Sequence, residues 1–250
     1  MFRVKRKLSV VELSEAAIFA ALVCVATMIF TIYVPATRGF FNIGETMIYT
    51  TSLLFGPFVG AFAGGFGSML ADLLLGYPLY APATLVIKAT EGAIVGFLSR
   101  RRIDFGSKTS WRIFTICIGL IIAFITWYIG TSYYTGEVEA SVGFPFAGYT
   151  TLFFNIPNTF WILVAIVVVL CVVYIGFSYD PQLGWMVLSI LIGGLEMVFG
   201  YFLYQWLLFG PEALVEIPIN IGQMIVGLLV SAPLAKIITQ RVPGLNGKMG

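Results

Sequence analysis

The 250-residue sequence contains no histidine and only three cysteines. Without imidazole, the chain cannot form His-ligated metal centres, histidine general bases or Ser-His-Asp triads. Cys24, Cys117 and Cys171 lie far apart within apolar segments, a spacing that predicts neither a disulfide framework nor a thiolate metal site. We interpret them as small apolar residues. These absences exclude most familiar hydrolases and many metalloenzymes.

Charge is also scarce. Only 10% of the residues are charged, with 14 Lys plus Arg against 12 Asp plus Glu, whereas 59% are hydrophobic and the mean hydropathy is +0.97. Globular domains are about one quarter charged, and so few charges cannot cover a soluble protein of this size. The composition therefore predicts an integral membrane protein whose apolar surface faces lipid.

The apolar residues fall into eight segments, each a candidate membrane helix because about 20 apolar residues cross a bilayer core. The polar intervals at 99–111 and 136–150 are too short to fold alone, so we expect an all-α fold in which 1–250 is one polytopic membrane domain. The predicted segments are 10–33, 44–55, 57–75, 84–98, 112–135, 151–177, 185–208 and 217–238.

The positions of Lys and Arg predict the orientation, because short cytoplasmic loops are enriched in both. With the first segment starting inside, both termini are cytoplasmic. Only Arg38 then falls in an outer loop and only Lys88 within a span. The first apolar run is expected to stay in the protein, since it is longer than a signal-peptide core and lacks a convincing cleavage site. The remaining basic residues lie on the inner side: Arg3, Lys5, Arg6, Lys7, Arg100, Arg101, Arg102, Lys108, Arg112, Lys236, Arg241 and Lys248.

Five ionisable residues fall inside predicted spans, namely Glu45, Asp72, Lys88, Glu91 and Glu196. A charge at a helix centre costs roughly 2.5 to 3.5 kcal/mol on insertion scales, so each is a candidate for pairing or function. All except Glu196 lie in the predicted outer half. Lys88 and Glu91 can pair three residues apart on one helix, and Asp72 lies at a similar depth. The cluster either fixes helix packing as buried ion pairs or lines a ligand pocket.

Two predicted outer loops, 37–42 and 76–82, combine aromatic rings with turn residues and a guanidinium. Aromatic walls with a few fixed polar groups are typical of small-molecule sites. The alternative is an interfacial belt of aromatic residues. The candidate binding residues in these loops are Arg38, Phe40, Asn42, Tyr77 and Tyr80.

The last predicted span carries Glu216, Asn220, Gln223 and Gly227 at spacings that place them on one helical face. Amide side chains are poorly satisfied in lipid, so this face is expected to point into the bundle. Hydrogen bonds between helices would explain Asn220 and Gln223 without a ligand. Both interpretations remain open at this point.

Small residues at helical spacing occur in the first span, where Ala16 pairs with Ala20 and Ala17 with Ala21. This pattern lets two helices approach closely. The third predicted span repeats the pattern with Gly60, Gly64, Ser68 and Ala71. One such face is expected to serve the bundle, whereas the alanines near the cytoplasmic end are a candidate surface for a partner.

Two further functions are excluded by absent patterns. The sequence contains no GxxxxGK[ST] motif, so the chain does not itself hydrolyse ATP by the P-loop route. The energy for any transport must come from a partner or from an ion gradient. Lys and Arg are grouped at the predicted loop ends, as topology alone requires, so no nucleic-acid groove is expected.

Several runs together resemble the substrate-binding S components of energy-coupling factor (ECF) transporters. The resemblance covers about 10–101 and 183–240. The runs that carry it are Phe41–Glu45, Leu54–Ala61, Gly64–Pro78, Lys88–Gly92, Gly193–Phe202 and Glu216–Gln223.

The resemblance implies a prokaryotic cell-membrane protein with a six-helix bundle that binds a vitamin or similar micronutrient at the outer side. It implies association with a T subunit, docked through Ala16, Ala17, Ala20 and Ala21, and with two cytoplasmic ATPases. It implies no enzyme activity, cofactor or metal in this chain. The pocket it implies consists of Arg38, Phe40, Asn42, Glu45, Tyr77, Tyr80, Lys88, Glu91, Asn220 and Gln223.

The sequence departs from six helices through two extra apolar segments, 112–135 and 151–177, which predict a hairpin inserted at 105–180. The loop 136–150 would form a lid or a cap on that hairpin, and we favour the cap. The alternative function is a solitary carrier driven by protons or sodium through Asp72, Glu91 and Glu196. An intramembrane enzyme or a purely structural subunit is less favoured. Pyrimidines, pyridines, flavins and amino-acid-like compounds all suit the predicted mouth.

Overall fold

The computed structural model describes residues 9–34, 37–101, 107–144, 148–178 and 181–242. The N-terminal basic residues Arg3 to Lys7, Arg102 and Lys248 lie outside these ranges, so their predicted inner position is untested. The elements, in chain order, are α1 (Val10–Ile29), β1 (Thr31–Val34), β2 (Gly39–Asn42), α2 (Glu45–Phe55), α3 (Pro57–Leu75), α4 (Ala81–Leu98), α5 (Lys108–Tyr133), β3 (Gly136–Phe144), β4 (Gly148–Ile156), α6 (Asn158–Ser178), α7 (Pro181–Phe209), a 3₁₀ turn (Gly210–Val215) and α8 (Glu216–Arg241).

The fold is an all-α membrane bundle with a small sheet at one end. Large apolar side chains cover its outer surface, among them Leu74, Val86, Ile121 and Leu207, and only lipid accommodates so much exposed apolar area. Within the described residues, five helical stretches are long and apolar enough to cross a membrane. These are Val10–Ile29, Pro57–Leu75, Ala81–Leu98, Lys108–Ser132 and the continuous stretch Gly184–Arg241, which holds α7 and α8.

Helix α2 lies at the centre of the bundle. It has 11 residues, which is about 16 Å of helix, and contacts α1, α3, α4 and α8. Ile48, Tyr49 and Leu53 are almost completely buried. An 11-residue helix is shorter than the bilayer core, so eight full crossings remain a prediction, although the described residues do contain eight α-helices.

Helices α3 and α4 pack backbone to backbone through glycines. A Cβ on Gly60 would lie 2.9 Å from the Gly92 carbonyl oxygen, and one on Gly64 would lie 2.7 Å from the Lys88 carbonyl oxygen. Real Cβ atoms do not approach so closely, so only glycine permits this separation. The close approach places the α4 residue Lys88 beside the α3 residues of the same depth.

The sheet corrects two predicted helix boundaries. Segment 10–33 is helical only to Ile29, and segment 151–177 is helical only from Asn158, because the intervening residues form β1 and β4. All pairs are antiparallel in the order β2-β1-β3-β4. Both misassigned stretches are rich in β-branched and aromatic residues, which are apolar enough to pass for helix but favour strands. The other predicted boundaries agree within a few residues.

Helices α5 and α6 form a hairpin, as predicted, but their connection is the strand pair β3–β4 rather than an irregular loop at 136–150. Strand β3 pairs with β1, with Thr31 opposite Gly143 and Tyr33 opposite Ser141. The connection therefore continues the sheet that begins between α1 and α2, instead of only capping the hairpin. Residues 145–147, between the two strands, lie outside the described residues.

Candidate functional site

A buried ion-pair cluster joins α2 and α4. The Lys88 amine forms an ion pair with Glu45 and a second, at 3.2 Å, with Glu91. The Tyr49 hydroxyl donates a 2.7 Å hydrogen bond to the other Glu91 oxygen. All four side chains are nearly inaccessible to solvent. Because each charge has a close opposite partner, the cluster can persist at membrane depth.

A small polar cavity lies immediately above this cluster, towards the sheet. Its volume is about 40 Å³, far below the roughly 300 to 1,000 Å³ of pockets that hold drug-sized ligands. The lining residues come from α1, β2, α3, α4, α7 and α8 and the turn before α4: Thr27, Gly39, Phe40, Asn42, Ser68, Asp72, Tyr80, Thr84, Lys88, Tyr201, Gln205, Glu216, Asn220 and Gln223.

The β1–β2 hairpin covers the cavity from above, with Gly39, Phe40 and Asn42 in its lining, and is held by hydrogen bonds to the cavity walls. The Thr37 hydroxyl donates to Glu216 of α8, and the Tyr80 hydroxyl donates to the Thr37 carbonyl at 2.5 Å. The Asn42 backbone N–H donates to the Gln223 side chain at 3.0 Å. The hairpin is thereby attached both to α8 and to the turn between α3 and α4.

Two acceptor atoms at this cavity have no protein hydrogen-bond partner. They are Oδ2 of Asp72 and Oε1 of Gln205, and their side chains are only 4% and 2% exposed. The Gln205 amide nitrogen donates to the Tyr80 hydroxyl at 3.3 Å, which leaves the carbonyl end open. Buried acceptors are nearly always satisfied in folded proteins. Unsatisfied ones on a cavity wall therefore indicate a place for donors from outside the chain.

Aromatic rings form the rest of the wall. Tyr201 lies beside Lys88, whose amine is 5.4 Å from the ring centroid, and its hydroxyl donates to Thr84 at 2.9 Å. Phe40 packs on Tyr77 with ring centroids 4.7 Å apart. Burial raises the pKa of Tyr80, in the turn before α4, well above its ordinary value. Its phenol is therefore a neutral donor at physiological pH.

The structure distributes the sequence-predicted residues over four positions. Six line the cavity directly: Phe40, Asn42, Tyr80, Lys88, Asn220 and Gln223. Glu45 and Glu91 lie behind the cavity as partners of Lys88. Tyr77 supports Phe40, and Arg38 is exposed with a left-handed φ of 54°.

The ion pairs of Lys88 include the sequence-predicted partner Glu91 and a second partner, Glu45, but not Asp72. Within the described residues, Lys88 pairs with Glu45 and Glu91. Glu45 lies on α2, so this partner depends on how α2 packs against α4. Asp72 lies at the cavity, where its Oδ2 atom has no protein hydrogen-bond partner.

Sequence reasoning missed several lining residues, including Thr27, Ser68, Thr84, Tyr201 and Gln205. Gln205 carried a usable signal, because an amide in the apolar run 197–208 needs an internal partner. Tyr201 lies one turn before it on the same face of α7. The hydroxyl residues carried little signal, since Ser and Thr commonly bond their own helix backbone, as Thr27 does with Val23 at 2.9 Å.

The four alanines of α1 do not share one surface. Ala16 and Ala20 are buried, and Ala20 faces α3, where a Cβ on Gly67 would lie 2.5 Å from its carbonyl oxygen. Ala17 and Ala21 are exposed. Only the second pair is therefore accessible to another protein.

No group of three His, Cys, Asp or Glu side chains in the described part of the chain is arranged to hold a metal ion.

Comparison with known proteins places this site in context. Residues 7–176 match the family model described as ECF-type riboflavin transporter, S component. A stretch of 84 residues, 34% of the chain and 56% of the relative, is 52% identical to a Pyrococcus woesei protein described as an uncharacterized protein in the gap 3' region. Another of 95 residues, 38% of the chain and 57% of the relative, is 32% identical to the thiamine precursor transporter HmpT of Lactococcus lactis subsp. cremoris strain MG1363. The chain spans little more than half the length of these two relatives.

Proposed function

This chain belongs to the family of ECF-type riboflavin transporter S components, and from that premise we propose that it is the substrate-binding subunit of a vitamin importer in a prokaryotic cell membrane. Energy would come from a T subunit and two cytoplasmic ATPases. The chain binds its nutrient at the extracytoplasmic side and carries it across the membrane within that complex.

The polar cavity beneath the β1–β2 hairpin is the observation that carries this proposal. Its walls combine buried hydrogen-bonding groups with aromatic rings, the composition of a site for a small heteroaromatic nutrient. Its roof is held by three hydrogen bonds, from Thr37, Tyr80 and Asn42. Such a roof can release and re-form over a bound molecule without unfolding a helix.

The direct test of binding is native mass spectrometry of the purified protein in detergent. We expect a retained small molecule of vitamin-like mass, released on denaturation. The double variant Asn220→Ala with Gln223→Ala should lose it while keeping the elution volume of the folded protein. Retention of the same molecule by this variant would contradict the assignment of the cavity.

Docking of the T subunit is proposed at the exposed pair Ala17 and Ala21. They lie on the outer face of α1 with Ser14, so their small side chains would let another helix approach closely. Ala16 and Ala20 are buried in the bundle, and Ala20 lies against α3, so substituting them would disturb the bundle itself. The proposed docking surface is therefore limited to Ser14, Ala17 and Ala21.

Co-purification with the T subunit and ATPases tests this surface. The variant Ala17→Trp with Ala21→Trp should lose the partner subunits and keep the nutrient. Val86→Trp is the matched control, because Val86 is 63% exposed on a different helix, α4. An intact complex with the double variant would exclude this docking surface. Uptake into vesicles without ATPases, abolished by a protonophore, would instead favour a solitary carrier.

We also propose that 105–180 is an insertion in a core made of 10–101 and 183–240. In support, the two junctions of the core lie side by side, since the Trp185 indole N–H donates to the Leu98 carbonyl at 2.6 Å. Replacing 105–180 by a short linker should leave a folded protein that retains its nutrient. Loss of folding would make α5 and α6 part of the core.

A further inference from the structure

The charges around the cavity favour ligands that are not anions. Four buried carboxyl groups surround it or lie behind it, from Glu45, Asp72, Glu91 and Glu216. Among the described residues at this site, Lys88 is the one buried amine, and two of those carboxylates already hold it. No cation is therefore left to neutralise a carboxylate or phosphate on a ligand, and burying an uncompensated anion is costly.

The hydrogen-bonding atoms without a partner at the cavity are acceptors, so they require donors from a ligand. Asp72 Oδ2 and Gln205 Oε1 are both unpartnered acceptors on the cavity wall, and both side chains are more than nine-tenths buried. Each would regain a partner from an N–H group of a ligand. A bond to the Asp72 carboxylate would be charge-assisted and therefore the stronger of the two.

Helix α8 offers a hydrogen-bond donor to the same cavity. The Gln223 amide donates to Asn220 Oδ1 at 2.8 Å, so the carbonyl end of Asn220 is occupied and its NH₂ end is the one left to donate. A ligand with a ring nitrogen as acceptor, next to an exocyclic amino group as donor, matches this combination of one donor and two acceptors.

The size of the cavity favours one ring over three. A volume of about 40 Å³ must expand for any vitamin, and a single ring requires the smallest displacement of the walls. Tyr80, Tyr201 and Phe40 supply flat apolar surface for such a ring. A tricyclic compound would need most of the lining side chains to move.

We propose that the cavity binds a neutral or cationic single-ring heteroaromatic compound bearing an amino group, with Asp72 and Gln205 accepting from its N–H groups. This inference rests on the proposed function and names the chemical class of the nutrient. Asp72 is the residue that determines specificity. It accepts a hydrogen bond from an amino group on the ring but cannot accept one from a carbonyl oxygen at the same ring position.

Isothermal titration calorimetry with a matched pair of compounds tests the inference. The probes are 4-amino-5-hydroxymethyl-2-methylpyrimidine and its 4-oxo analogue, with riboflavin and anionic biotin alongside. The amino compound should bind at least about tenfold more tightly than the oxo compound. Asp72→Asn should weaken its binding roughly tenfold to a hundredfold, the loss expected for a charge-assisted hydrogen bond.

The conservative control is Glu212→Gln, which changes an exposed carboxylate in the 3₁₀ turn near the same end and should leave affinity unchanged. Binding of riboflavin or biotin that is insensitive to Asp72→Asn would overturn the inference while leaving the vitamin-binding role intact. Equal affinity for the amino and oxo compounds would also overturn it. If no probe binds, the inference fails, and the proposed function is then decided separately by the retained-molecule and co-purification experiments.

Discussion

Two polar clusters lie one above the other in this bundle, and they differ in how their charged groups are paired. In the lower cluster, Lys88 forms ion pairs with Glu45 and Glu91, and Tyr49 donates a hydrogen bond to Glu91, so that Glu45 Oε2 is the acceptor without a partner. In the upper cluster, the acceptor atoms without a partner belong to Asp72 and Gln205 and line the cavity, and among the described residues Asp72 forms no ion pair. Both clusters are buried to a similar extent. Burial alone therefore does not distinguish a packing group from a binding group.

The difference leads to separate predictions for the charged residues of the two clusters. Lys88 lines the cavity and also forms ion pairs with two acids, on α2 and α4, and buried pairs of this kind connect the helices that carry them. Asp72 also lines the cavity, with one carboxylate oxygen unpartnered. Substitutions in the lower cluster should then change stability, and those in the upper cluster should change binding.

The largest effect on stability is expected for Lys88→Met. The variant leaves the Glu45 and Glu91 carboxylates buried together without a cation, which should lower the free energy of unfolding by about 3 to 5 kcal/mol. Titration with SDS in mixed micelles measures it. Lys108→Met, at an exposed position that begins α5, is the control. A loss below about 1 kcal/mol would show that the ion pairs do not hold the bundle.

A smaller loss is expected for Tyr49→Phe. It removes the donor to Glu91 and leaves a buried carboxylate oxygen unsatisfied, at a cost of about 1 to 3 kcal/mol. The same SDS titration applies, with Tyr174→Phe as control because Tyr174 is 66% exposed on α6. Equal stability of the two variants would indicate that Tyr49 acts only through packing.

Neutralising the whole lower cluster should cost less than removing one member. The triple variant Lys88→Gln, Glu45→Gln and Glu91→Gln leaves no uncompensated charge, and replacing a complete buried ion-pair group is often nearly neutral. We expect unfolding free energy within about 1 kcal/mol of the wild type. If the triple variant is as unstable as Lys88→Met alone, charge balance is not what stabilises this cluster.

The smallest effect on stability is expected for Asp72→Asn. Its Oδ2 atom has no partner to lose, so the change should stay within about 0.5 kcal/mol, although ligand affinity falls. The ratio of the affinity change to the stability change is the sharpest contrast between the two clusters. A loss of stability comparable to that of Lys88→Met would assign Asp72 to packing as well.

The helical part of the fold could be read from the sequence where local signals bound it. Helix α3 runs from Pro57 to Leu75 as predicted, because proline suits a first turn and Gly76 ends the helix with a left-handed φ of 85°. The strands could not be read in this way. Residues such as Ile32 and Tyr33 are apolar like their helical neighbours, and their conformation depends on pairing with β2 and with the distant β3.

The candidate site could also be predicted only where its residues are close together in the sequence. Lys88 and Glu91 were paired correctly because three residues along a helix bring two side chains together. Glu45 as second partner, and Gln205 as a cavity wall, depend on which helices pack against each other, and no local spacing encodes that. The exposure of Arg38 likewise follows from the conformation of the turn between β1 and β2.

The glycine contacts between α3 and α4 limit which walls of the cavity can move. With Gly60 against the Gly92 carbonyl and Gly64 against that of Lys88, these two helices touch along their main chains and cannot slide past each other without losing that fit. Asp72 and Lys88 therefore lie on a rigid pair of helices. A ligand larger than the present cavity must displace the other walls, which are formed by the β1–β2 hairpin together with α7 and α8.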